Sequence, residues 1–166
     1  MRDLEHSVNL SSKHLEAIGA VAVRWAELED TLSSIIWDLA NLHRPMSFAV
    51  TTHLSERTRA DICTTLADTV LRPKSLAKDL KKHIEKIIKK IYQKRNAVVH
   101  SIWGYSIDEG ISTILPIKAR RTLKIGPREK YSSSDIFDIA EEIYSLRLQI
   151  QDALENSNKP KALLKK

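Results

Sequence analysis

Three side chains near the middle of the chain could handle an anion and a proton: Arg95, Asn96 and His100. A guanidinium is a permanent charge with a planar fork of donors suited to phosphate or carboxylate. An imidazole exchanges protons near neutral pH. An amide both donates and accepts. His100 follows Asn96 by four residues, so on a helix the two share a face. It follows Arg95 by five, about 140° around an ideal helix, and only a long, curving arginine can span that angle. Tyr92 lies one turn before Asn96 on the same side, a candidate support for the group.

The helix that carries these residues has an apolar seam of Leu80, Ile84, Ile87 or Ile88, Ile91, Val98 and Ile102. Counted from Ile88, the helical rhythm lands on 88, 91, 95, 98 and 102, so Arg95 occupies an apolar slot. A guanidinium there is costly unless it is paired or faces a polar cleft. It therefore marks either a buried ion pair with an acid such as Glu29 or an anion site at the edge of the core. Lys81, Lys82, Lys86, Lys89, Lys90 and Lys94 decorate the same helix, with only Asp79 and Glu85 as acids. Such a run is either a solvated face or a line of phosphate contacts, for which Lys82, Lys86, Lys89, Lys90 and Lys94 are the candidates.

The elements that must position these residues follow from the patterning. Ser11 or Ser12 can cap a helix whose seam is Ile18, Val21, Trp25, Leu28, Leu32, Ile35, Leu39 and Leu42, ending near His43 at Arg44-Pro45. A short apolar helix is expected over 46–54. Another is expected over 56–71, capped by Ser55, with Ala60, Cys63, Leu66, Ala67 and Val70 inward. The basic helix is expected over 76–103, stopped by Gly104. Ile102–Ile107 and Ile111–Ile117 flank Asp108-Glu109-Gly110 and read as a hairpin, with a third strand around Arg121–Ile125 before Gly126-Pro127. Ser133 or Ser134 can cap a last helix over 135–155 with Ile136, Ala140, Ile143, Ile150 and Leu154 inward. The expected fold is mainly α: a bundle of about five helices with a small β-hairpin insertion before the last helix. Residues 1–156 are expected to form one helical domain, with a poorly ordered start over 1–10 and a basic tail over 157–166.

Composition bounds the function classes. The chain has 166 residues, a formal net charge of +6, and few glycines and prolines. No apolar run reaches the roughly 18 residues of a membrane span, and the start lacks a signal-peptide stretch. One cysteine, Cys63, excludes an internal disulfide and reads as a small core residue. A cytoplasmic protein with no membrane partner is expected. The histidines at 6, 14, 43, 53, 83 and 100 lack metal-ligand spacing, and no cofactor is expected.

The segment Arg95-Asn96-x-x-x-His100, followed by Ser101-Ile102-Trp103-Gly104, resembles the motif of the HEPN superfamily: Arg, a short spacer and His, late in a long helix of an α-bundle. Arg24-Trp25-x-x-Leu28-Glu29 is similar to the first helix of bacterial HEPN-like proteins. The β insertion departs from the simplest bundle. The resemblance implies a metal-independent endoribonuclease acting as a homodimer, with the two motifs facing each other across a cleft. Many such proteins are toxins or anti-phage effectors, so an antitoxin or regulatory protein is an implied partner beside RNA. In that chemistry His100 activates a ribose 2′-OH or protonates the leaving 5′-oxygen, Arg95 stabilises charge on the transition state, and Asn96 orients His100 or the phosphate. Two other readings stay open: a non-catalytic HEPN-like module binding RNA, nucleotide or protein, and a structural helical dimer.

Overall fold

Alternating three- and four-residue spacing winds Val21, Trp25, Leu28, Leu32 and Ile35 onto the inner face of α1 (Ser12–Leu39), where all are buried. The computed structural model describes residues 10–106, 111–115, 117–120, 122–125 and 129–158. Of the two candidate caps for α1, Ser11 serves: its Oγ accepts the His14 N–H at 3.4 Å. α1 stops at Leu39, short of the expected end near His43, with Asn41 in the left-handed region (φ 52°) just beyond it. Pro45 does not end α1 but sits at the start of α2 (Arg44–Thr51), where its missing N–H costs no hydrogen bond. The inward residues of α2 are Ser47 and Thr51, while Met46, Phe48 and Val50 are exposed. The hydroxyls can be buried because each bonds a backbone carbonyl one turn back, Ser47 to His43 and Thr51 to Ser47. Ser55 caps α3 (Glu56–Val70), accepting the Thr58 N–H at 3.2 Å. Ala60, Cys63 and Ala67 are buried as expected, but Leu66 is half-buried and Val70, at the helix end, is exposed.

The long basic helix differs from expectation in two ways. It runs as α4 (Lys74–Lys86), a π turn (Ile87–Ile91) and α5 (Tyr92–His100). The π turn falls on an isoleucine-rich stretch, where branching at Cβ crowds a regular α turn. It brings Ile87 and Ile91 inward and leaves Ile88 half-buried. The helix then stops at His100 rather than 103, and Gly104 lies within a strand instead of capping the helix. Ile102, placed on the seam by the wheel, is accordingly 59% exposed.

The β insertion is larger than one hairpin. β1 (Ile102–Ser106) pairs antiparallel with β2 (Ile111–Leu115), in a register running from Ile102↔Leu115 to Ser106↔Ile111. β3 (Ile117–Arg120) pairs with β4 (Thr122–Ile125), which occupies the place of the expected third strand. β5 (Glu129–Lys130) joins the free edge of β2. The expected Asp108-Glu109-Gly110 turn, Gly126-Pro127, the start over 1–9 and the tail beyond 158 lie outside the described residues. The last helix, α6 (Ser133–Asn158), is capped by Ser132, one residue before the expected caps. Ser132 Oγ accepts the Asp135 N–H at 3.1 Å, and Asp135 accepts the Ser132 N–H at 2.8 Å. This reciprocal pairing satisfies two N–H groups at the helix start. Ile136, Ala140, Ile143 and Ile150 face inward with Leu146 and Ile139, and Leu154 is half-buried.

The fold is thus mainly α, with a small β insertion before the last helix. Five helical stretches appear among the described residues when the run through the π turn is counted once. No described helix is long and apolar enough to cross a membrane. Two compact units divide the chain. The first takes residues up to Trp25 with Tyr92–Ile143, and the second takes Ala26–Ile91 with Tyr144 onward. Among the described residues, Ala17, Val21, Trp25, Val98, Ile136, Ile139, Ala140 and Ile143 are the buried apolar residues of the first. Leu28, Leu32, Ile35, Cys63, Leu80, Ile84, Ile87, Ile91, Leu146 and Ile150 are prominent in the core of the second.

Candidate functional site

Within the first unit, α5 delivers Arg95, Asn96 and His100 to one another. Arg95 Nη1 donates to Asn96 Oδ1 at 2.9 Å and reaches His100 Nε2 at 2.6 Å. A guanidinium nitrogen can only donate, so Nε2 presents its lone pair and the imidazole carries its proton on Nδ1. Arg95 and Asn96 are half-buried and His100 is exposed. The arginine thus leaves the core edge and curves across the ideal separation on the helix to meet the histidine.

Trp25 is the platform for this reach. The Arg95 guanidinium carbon lies 5.3 Å from the centre of its ring, within cation–π range. Tyr92, the first residue of α5, packs its ring 6.2 Å from the same indole. Among the described residues, the partners of the Arg95 guanidinium are therefore a ring, an amide and an imidazole, and its Nε is buried without a hydrogen bond. Glu29, considered above as a buried partner, belongs to the second unit, where its carboxylate lies 3.6 Å from Arg59. Arg59 is almost fully buried and also donates to the Thr51 carbonyl. The arginine–glutamate pair expected as one explanation of Arg95 is thus formed by Arg59 instead.

The end of α5 is held by the residue after the strand begins. Trp103 Nε1 donates to the Val98 carbonyl at 2.9 Å. Its indole meets the rings of His14 and Tyr131 edge-on, at 6.4 and 6.3 Å between centres. His14 in turn joins Ser11 Oγ at 2.8 Å and the Tyr131 carbonyl at 3.2 Å. An indole donor just beyond a helix terminus is the signal that could have identified Trp103 from the sequence.

The lysines do not form one uniform row. Lys82, Lys86, Lys89 and Lys90 are exposed in the second unit, and Lys89 is paired with Glu85 at 2.8 Å. Lys94, in the first unit, is paired with Glu142 of α6 at 2.5 Å. It borders an open cavity of about 380 Å³ whose walls include Lys130, Tyr131, Asp138 and Ile139. Cys63 is fully buried, donates toward the Leu32 carbonyl at 3.2 Å, and burial pushes its thiol up to about 12. It is a core residue and not a nucleophile. Comparison with protein-family models, curated proteins and solved structures finds no match to this chain.

Proposed function

We propose that the chain is a metal-independent endoribonuclease of HEPN type, working as a homodimer with an Arg95/His100 site in each copy. The observation that carries this reading is the Arg95 guanidinium, which bridges Asn96 and His100 over Trp25 with no carboxylate partner among the described residues. A half-buried cation of that kind has charge left to offer an anion. A phosphodiester supplies one. The His100 Nε2 lone pair takes the proton of the ribose 2′-OH as its oxygen attacks phosphorus. The bond from phosphorus to the 5′-oxygen breaks, and a proton returned to that oxygen completes the exchange. Arg95 turns its donors to the phosphoryl oxygens, where negative charge accumulates, and Asn96 keeps the ring in register. The products are a 2′,3′-cyclic phosphate and a 5′-hydroxyl. Because the nucleophile is the 2′-OH, DNA is not a substrate. A toxin or anti-phage role, with an antitoxin or regulatory protein as partner, accords with this activity.

The test is cleavage of single-stranded RNA in the presence of EDTA. The native protein is expected to cut, with His100→Ala and Arg95→Ala each slower by at least about 100-fold. No cleavage by the native protein, or equal cleavage by the His100 variant, would sink the reading. RNA binding that survives His100→Ala without any cleavage would point instead to a non-catalytic binding module.

A further inference from the structure

His100 is the last residue of α5, at a helix end where carbonyls lose their partners. In a continuing helix the Val98 carbonyl would accept from the backbone N–H of Ile102, but Ile102 already belongs to β1 and is paired with Leu115. The Trp103 indole fills that vacancy at 2.9 Å. The bond spans His100, closing a short loop from Val98 over the histidine to Trp103. Trp103 is itself held in two ways. Its backbone lies in register with Ile114 of β2, and its ring is wedged against the edges of His14 and Tyr131. His100 therefore sits between two restraints: the Arg95 guanidinium on the helix side and the indole clamp on the strand side.

We infer that Trp103 is a positioning residue, whose indole N–H pins the last turn of α5 so that His100 Nε2 stays within hydrogen-bond reach of Arg95. Without that donor the Val98 carbonyl must find water, the last turn loosens, and the ring loses its fixed contact with Nη1. The catalytic consequence rests on the ribonuclease reading, but the positional consequence does not, since the tautomer of His100 reports it directly.

The discriminating variant is Trp103→Phe, which keeps an aromatic ring facing His14 and Tyr131 and removes the N–H together with the second ring of the indole. Trp37→Phe is the control. It deletes a comparable indole bond, from Trp37 Nε1 to Thr51 Oγ1 at 3.1 Å, within the second unit. In the native protein the ¹⁵N shifts of the His100 ring, assigned by their loss in His100→Gln, are expected to report the Nδ1–H form. Trp103→Phe is expected to move them toward a mixture of tautomers, and Trp37→Phe to leave them unchanged. RNA cleavage at saturating substrate is expected to fall about tenfold in Trp103→Phe, on the scale of one lost hydrogen bond, with KM little altered. His100 shifts that are the same in Trp103→Phe as in the native protein, or equally disturbed in both variants, overturn the inference whether or not RNA is cut. Altered shifts in Trp103→Phe alone, with no cleavage by the native protein, leave the clamp standing and remove the ribonuclease reading.

Discussion

Arg59 and Arg95 both bury part of a guanidinium, as Arg147 does, but the first two should respond differently to the same substitution. Arg59 Nη1 faces Glu29 and its Nη2 serves the Thr51 carbonyl. Arg59→Met leaves a carboxylate and a carbonyl without these donors, and a stability loss of about 2 kcal/mol is expected in urea unfolding. Arg95 leaves no carboxylate behind among its described partners, and its buried Nε has no bond to lose. A methionine at that place keeps contact with the Trp25 ring through its polarisable thioether. Arg95→Met should therefore change stability by less than about 1 kcal/mol while removing activity. Equal losses in the two variants would mean that Arg95 is also a structural ion-pair partner. Cys63 makes a second prediction at this scale. With its thiol pushed up to about 12 by burial, it stays protonated at pH values where a free thiol ionises. Alkylation at pH 8 should label it only after denaturant is added, and prompt labelling of the folded protein would contradict its place in the core.

At the scale of elements, the start of α6 has a built-in pH dependence. Hydrogen bonds from the Ser132 hydroxyl and N–H hold the Asp135 carboxyl below its ordinary range. A depressed folded value means that the stabilisation is complete above the unfolded value, about 3.9, and is lost as pH falls through the lower folded one. Asp135→Asn should therefore flatten the acid limb of the stability curve below about pH 4. Ser132→Ala, which removes the cap itself, should cost about 1 kcal/mol at neutral pH. A Ser132→Ala variant as stable as the native protein would show that the cap contributes nothing. The π turn acts at the same scale. It widens the helix just before the motif and turns Ile87 rather than Ile88 inward, whereas Ile102 leaves the seam because the helix has already ended at His100.

At the scale of the whole molecule, the number of lysines overstates the basic face available to a polyanion. Lys81 is paired with Asp68, Lys89 with Glu85 and Lys94 with Glu142. Lys82 and Lys86 are exposed and are the best placed of the candidates for counterion release. The Lys82→Ala/Lys86→Ala double variant should weaken RNA binding and lower the slope of log K against log salt by about 1.4, near 0.7 for each single-strand phosphate contact. A slope equal to that of the native protein would remove these lysines from the RNA surface.

The sequence by itself determined what depends on local periodicity and local chemistry. The inner face of α1 from Val21 to Ile35, the Ser55 cap, the β1–β2 pair and the buried cysteine all follow from spacing and residue type. So does the meeting of Arg95 with His100, because both lie on one regular helix and an arginine is long enough to cross the gap. Tertiary structure decided what depends on neighbours distant in sequence. Glu29 pairs with Arg59, thirty residues away, and no rule of spacing selects that arginine over Arg95. The hydroxyls of α2 face inward because Trp37 and nearby carbonyls offer them bonds. The helix ends at His100 because β2 captures Ile102, and Trp103 then turns its indole back to the carbonyl that the strand left open. The Arg95–His100 contact is thus written in the helix, while the clamp that holds it exists only once the strands have paired.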